Sequence, residues 1–389
     1  AAEDSGFGPV VEDNYQPASP AQPEDAEEPK DADQPEDDDQ KNAEESENDE
    51  EQKDADRQEN TDRKESAEEP EDADRKESAG QQAQPQQAAP AAAAPAAPAA
   101  PTSVITLINN FANKVLNLTL KDVKIDVSNT GRENHAGKAA LSVQGEGNVE
   151  IELDGDNELK SGAYRAGLEK NNSTSAGTLT LKDNKEAGSG SLNAEGGALS
   201  AGIGACYEEG TKNIIITGGT VTATGGDGGA GIGGGDGGGA ENITITGSTV
   251  TAKGGNGSAG IGGGVGGSGE SITITGSTVT AEGGNGAAGI GSGNGKNITI
   301  TDSTVTATGK YGGAGIGGGN GKNGEAITIT GSTVTATGKY GGAGIGGGGF
   351  DGGGNGNHIT ITGSTVIATS EGVGERGNRG GAGIGGGCI

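Results

Sequence analysis

Six times between Ile214 and Ile384 the chain writes a strand-like I-T-I-T or a close variant, then S-T-V-T-A-T, then a glycine run around A-G-I-G-G-G. The isoleucine of the glycine run falls at Ile203, Ile232, Ile261, Ile290, Ile316, Ile345 and Ile384, in steps of 29, 29, 29, 26, 29 and 39 residues. A near-fixed period of this size belongs to a stacked repeat, in which each unit buries its apolar side only against its neighbours.

One repeat, read from Asn242, shows which side that is. Ile243 and Ile245 alternate with Thr244 and Thr246, a Gly247-Ser248 corner follows, and Val250 and Ala252 alternate with Thr249, Thr251 and Lys253. Period two places Ile243, Ile245, Val250 and Ala252 on one face and the threonines on the other. The position of Lys253 is Thr224, Glu282, Thr308, Thr337 and Thr369 in the other repeats, so it faces water; the inward position beside it is always Ala. Two strands and a glycine segment make three short faces per 29 residues, the size of one coil of a parallel β-helix. The expected fold is therefore all-β, a right-handed parallel β-helix of about 29 residues per coil. A propeller or stacked antiparallel sheet needs three or four strands per repeat, more than 26–29 residues supply.

The rest of the chain divides by composition. Residues 1–100 hold 31 acidic and 8 basic side chains, which leaves 25 and 18 for the remainder. Residues 1–80 cannot bury enough apolar area to offset chain entropy and read as a disordered acidic arm. Residues 81–103 form a Pro/Ala/Gln-rich spacer, 104–205 a set of irregular rungs with shorter alternating strands, and 206–389 the regular array. After Ile384 the chain ends at G-G-G-C-I where another strand is due, which reads as an interrupted array. The opening Ala-Ala-Glu-Asp carries no charged-then-apolar leader, which reads as a removed secretory signal or a fragment.

The acidic balance argues against nucleic acid and against an anionic membrane surface, both of which require a basic face. No apolar run is long enough to insert into a bilayer. Two cysteines fit neither a disulfide scaffold nor a zinc site. Cys206 and Cys388 follow equivalent glycine segments six coils apart, well beyond the roughly 7 Å that a disulfide tolerates between Cα atoms, so they are not expected to pair.

Motifs for chemistry are few. His135 and His358 stand far apart in the chain, and arginine after residue 100 is limited to Arg132, Arg165, Arg376 and Arg379, so no catalytic residue is assigned. The stretch G-G-D-G-G-A-G-I-G at 225–233 approaches a calcium-binding nonapeptide but places Ala230 where the Asp ligand is needed. Scattered turn carboxylates, Asp227, Asp236 and Asp351, do not recur in each coil, so no metal site is assigned. No helical pattern follows the glycine runs, which excludes a phosphate loop. Stacked in register, Thr244, Thr273, Thr299, Thr328 and Thr360 form one outward rank and Thr251, Thr280, Thr306 and Thr335 another, interrupted by Ile215 and Ile367. Such ranks occur on ice-binding solenoids and equally suit a plain β-surface. Tyr311 and Tyr340 lie 29 residues apart in identical A-T-G-K-Y-G-G-A-G-I-G contexts, one above the other, with Lys310 and Lys339 beside them. Exposed aromatics in so aromatic-poor a chain are candidates for stacking on sugar rings, and these four are the candidate ligand-binding residues.

The stretch from L-N-L-T-L-K-D-V-K-I through N-V-E-I-E-L-D-G-D-N-E-L-K-S-G to G-S-L-N-A-E-G-G resembles secreted bacterial parallel β-helix carbohydrate-binding proteins. The G-G-T-V-T-A-T-G-G and G-A-G-I-G-G-G array that follows is similar to Gly/Thr-rich repeat surface proteins of Gram-positive bacteria. Together the resemblance covers residues 104–389. It implies an extracellular, secreted or cell-wall associated protein that binds polysaccharide or cell-wall glycan or mediates adhesion, with structural calcium as an option and no other cofactor. The alternatives are a non-catalytic flank of a larger glycan-degrading enzyme and a structural or ice-binding solenoid.

Overall fold

The computed structural model describes residues 103–132, 135–184, 190–350, 352–372 and 380–388. The acidic arm and all but the last residue of the spacer lie outside the described residues, as do Asp351, Arg376 and Arg379. The chain winds into a parallel β-helix with three sheets of ten, nine and nine strands. Each strand pairs in parallel with its equivalent one coil earlier and one coil later, as in Ile243↔Ile272 and Val250↔Val279. Ten strands at about 4.8 Å separation give an axis of roughly 43 Å. No helix among the described residues is long and apolar enough to cross a membrane.

The first wall consists of the I-T-I-T strands, such as Ala240–Thr246 and Gly295–Thr301, and the second of the T-V-T-A strands, such as Thr249–Lys253 and Thr304–Lys310. Ile243, Ile245, Val250 and Ala252 point inward and are buried, together with their equivalents in neighbouring coils. The outward threonines form the two expected ranks, and Ile215 and Ile367 break them at the register positions of Thr244 and Thr335. Ile367 is 60 % exposed. The third wall, formed by the glycine segment, is the shortest of the three. In the regular coils it is a two-residue Ile–Gly strand, and its isoleucines stack on Leu168 and Leu141 of the irregular coils. A core only three strands wide holds Ile, Leu, Val and Ala, each large side chain contributing about 1.5–3 kcal/mol on burial.

Glycine is required directly after each of these isoleucines. Gly233 has φ 142°, and a Cβ there would collide with the carbonyl oxygen of Gly262 in the next coil. The two walls are joined by a corner whose serine is part of the hydrogen-bond ladder. The hydroxyl of Ser303 donates to the Thr301 carbonyl at 2.6 Å and accepts the Ser277 N–H at 3.2 Å, while the Ser303 N–H donates to the Ser332 hydroxyl at 3.1 Å. Ser248, Ser277, Ser332 and Ser364 continue the same column. Cys206 and Cys388 follow third-wall strands six rungs apart, about 29 Å along the axis, so no disulfide joins them.

Candidate functional site

The short third wall forces the chain into a keyhole. From the second wall each coil runs inward through a leading arm to the core isoleucine, then outward through a trailing arm to the next first-wall strand. The neck is closed by a hydrogen bond from the alanine two residues before the isoleucine to the glycine two residues after it: Ala230 to Gly234 at 2.9 Å, Ala259 to Gly263 at 2.9 Å, Ala314 to Gly318 at 3.0 Å. Outside the neck the arms of successive coils are laced together. Asp236 N–H donates to Leu199 O (3.0 Å), Val265 to Gly228 (3.3 Å), Asn320 to Gly286 (2.8 Å) and Gly349 to Gly312 (2.7 Å). A seam therefore runs along one edge of the helix, built from the glycine runs.

Side-chain variety is concentrated there. Four residues after the core isoleucine stand Tyr207, Asp236, Val265 and Asn320; five residues before it stand Asp227, Asn256, Asn285, Tyr311 and Tyr340. Length variation is confined to the arms as well. The 26-residue step has a trailing arm three residues shorter than its neighbours, and the 39-residue step has a trailing arm three residues longer, which carries Phe350, and seven more residues between Val366 and Ile384. Strand register is unchanged through both. All six aromatic residues beyond position 102, Phe111, Tyr164, Tyr207, Tyr311, Tyr340 and Phe350, lie in arms, and none enters the core.

The structure places Tyr311 and Tyr340 one above the other, with ring centroids 4.6 Å apart and planes at 10°. They are 53 % and 38 % exposed, and both adopt left-handed backbone, φ 44° and 55°. Phe350, also exposed, lies beside Gly312, so three aromatic rings gather at this part of the seam. Lys310 and Lys339 are engaged elsewhere. Lys310 pairs with Glu282, and Lys339 with Glu371 at 3.4 Å. The Lys310 hydrogen bond, with the charges of Lys253 and Lys339 nearby, holds the Glu282 carboxyl below its usual range. The lysines thus clamp one rung to the next, and the tyrosines supply the free surface.

Counting offsets from the core isoleucine would have found two further aromatic positions. Tyr164 lies four residues before Leu168, which occupies the isoleucine position of its coil, and Tyr207 lies four after Ile203. Their rings approach to 5.5 Å at an angle of 51° and, with Leu199 and Ala136, line a cleft of about 280 Å³. A second cleft of similar volume lies at the base of the trailing arms, beside Glu241 and Glu270, which are register partners.

Behind Tyr207 the irregular coils bury charge. Glu169 occupies the register position of Gly204 and is 3 % exposed, bonded to Arg165 at 2.5 Å and to the Asn171 amide at 3.3 Å. Burial raises its carboxyl despite Arg165. Lys170 is fully buried, donates to the Ser175 carbonyl at 3.2 Å, and burial pulls its ammonium down to about 8. Burial, followed by the charge of Glu169, pushes the Cys206 thiol up to about 11, which keeps it protonated and poorly nucleophilic. His135 forms an isolated bridge with Arg132, and His358 lies exposed on the far strand Gly356–Thr362. Among the described residues no group of three or more His, Cys, Asp or Glu side chains is arranged to hold a metal ion.

The family model of the beta helix repeat matches residues 214–236, 243–265, 272–294, 298–320, 327–349 and 359–388. Each match begins at the first inward isoleucine of a first-wall strand and ends in or beyond a trailing arm. No curated protein and no solved structure matches the chain.

Proposed function

We propose that this β-helix is a non-catalytic extracellular module that binds polysaccharide chains along the seam of its glycine arms. The observation that carries the reading is the placement of the aromatics: a chain without Trp, and nearly without Phe and Tyr, puts every described one on the arms. Tyrosine offers a sugar an apolar face for the ring C–H groups and a hydroxyl for its rim, at low conformational cost. The Tyr311–Tyr340 column uses one face of each ring on its partner, leaving two outer faces and two hydroxyls, with Phe350 alongside. Asn256 and Asn285, exposed on the same seam, add amide donors and acceptors suited to hydroxyls.

The extracellular assignment rests on the resemblance of residues 104–389 to secreted surface proteins. The non-catalytic assignment rests on the seam itself, whose aromatics and amides serve contact and whose cysteine is held protonated.

Retention of the full chain on a panel of insoluble polysaccharides tests the reading. We expect retention on at least one of them, reduced about 2–13-fold in the Tyr311→Ala/Tyr340→Ala variant, corresponding to about 0.5–1.5 kcal/mol of lost stacking. Retention that is absent from every polysaccharide, or unchanged in the double variant, overturns it.

A further inference from the structure

We infer that the cleft between Tyr164 and Tyr207 is a separate ligand site, shaped for a quaternary ammonium head group.

Three independent observations converge on it. The first is ring geometry. Tyr311 and Tyr340 lie parallel and spend their facing surfaces on each other, whereas Tyr164 and Tyr207 open at 51° with centroids 5.5 Å apart. Leu199 and Ala136 complete the lining around about 280 Å³. Tilted rings over an apolar floor form an aromatic cage, in which the negative ring faces attract a cation without hydrogen bonds.

The second is backbone conformation. Tyr164 and Leu199 both have φ 63°. The same register position, four residues before the core isoleucine, is Gly228, Gly257, Gly286, Gly312 and Gly341 in later coils, all at positive φ. A residue with a Cβ is accepted there only in left-handed backbone. At two consecutive coils that strain is accepted, and both side chains line the cleft. Strained non-glycine residues concentrate at ligand-binding features.

The third is charge. Glu208 acts on the Tyr207 hydroxyl and raises it, and Asp236 and Asp227 follow on the next coil. The groups acting electrostatically on Tyr207 are Glu208, Asp236 and Tyr164; those acting on Asp236 are Asp227 and Glu208. Burial and these two neighbours raise the Asp236 carboxyl, as expected of acids crowded without a cation. The nearby cation, Arg165, is committed to Glu169.

Together these features select the ligand. An anion is repelled, and a neutral sugar draws no benefit from the acids. A metal ion or primary ammonium gives up tightly held water and needs several oxygens in direct contact, and among the described residues no group of three or more His, Cys, Asp or Glu side chains is placed to supply them. A quaternary ammonium carries its charge inside an apolar shell, donates no hydrogen bond and is weakly hydrated, so aromatic walls and a negative field close by suit it.

Choline chloride titrated into the full chain, followed by the NMR shifts of the tyrosine ring protons, tests this against 3,3-dimethylbutanol, the uncharged molecule of the same shape. We expect saturable binding of choline, about 3–30-fold tighter than the alcohol, the range a cation–π contact of about 0.5–2 kcal/mol gives. Tyr207→Ala should abolish the preference, Tyr207→Phe should keep it, and Asp236→Asn should weaken choline alone. Tyr311→Ala should leave choline binding intact, which separates this site from the polysaccharide reading. Sedimentation with phosphatidylcholine vesicles, competed by choline, would identify a lipid-borne head group; choline binding without sedimentation would identify a soluble or polymer-borne one. Equal affinity for choline and the alcohol, no saturation, or undiminished preference in Tyr207→Ala overturns the proposal.

Discussion

Lys170 is sealed from water beside Glu169, and its single hydrogen bond, to the Ser175 carbonyl, does not replace the hydration of an ammonium. Its folded pKa of about 8 lies below the ordinary 10.5. Between those values the unfolded chain holds a proton that the folded chain has released, so stability rises with pH across that window; below pH 8 the full cost of burying the charge is present. Cys206 acts oppositely from pH 9, where the unfolded thiol ionises while the folded one keeps its proton to about 11. Melting temperature should therefore climb between pH 8 and 9 and level or fall above. Lys170→Met should abolish the climb and add about 1–3 kcal/mol at pH 7, as replacing buried charge by apolar volume does; a climb that persists in the variant would remove Lys170 as its source. None of this was legible in the sequence, because E-K-N in an irregular rung reads as a solvated loop. Only the pairing of Glu169 with Gly204 places it inside. The tyrosines were half legible: identical surroundings 29 residues apart predicted the Tyr311–Tyr340 column, whereas Tyr164 and Tyr207 have dissimilar neighbours and meet only because one leads its coil and the other trails the next.

Within a single coil, the walls follow from period two and the arms do not. Ile, Val and Ala alternating with Thr leave one choice of inward face, and the register of every regular coil agrees with it. The arms carry no pattern, because their shape comes from backbone bonds between glycines of adjacent coils rather than from side-chain burial. That is why the third face reads only as a glycine segment where the structure has a wall two residues long. The corner serine shows how much a small residue does here. Ser303→Ala removes a donor to Thr301 and an acceptor for the Ser277 N–H in a position 5 % exposed, and should cost about 1–3 kcal/mol. Ser364→Ala, at a half-buried corner of the last complete rung, should cost less. Chemical denaturation of the two variants compares them, and equal losses would mean that burial of the ladder is immaterial.

Along the whole molecule the coils contribute nearest-neighbour terms, so a lesion in one is felt chiefly by its two neighbours. Strand register survives arms of three lengths, which sets an expectation for insertions. Two glycines added after Val265, in a trailing arm, should lower stability by less than about 1 kcal/mol, since lengthening a loop costs little. One residue inserted between Ile272 and Thr273 should lower the melting temperature far more, because it turns the inward Ile274 to the outer face, away from its partners Ile245 and Ile300. Circular dichroism melts of the two insertions decide the matter, and comparable damage from both would contradict the independence of arms and walls. That independence gives the seam a further property. Since the walls hold one spacing whatever the arms contain, groups mounted on successive arms recur at a constant interval, and the helix works as a ruler. A ligand that meets several graduations is held at high effective concentration after its first contact, so weak single contacts add into avidity for polymers whose repeat fits the scale.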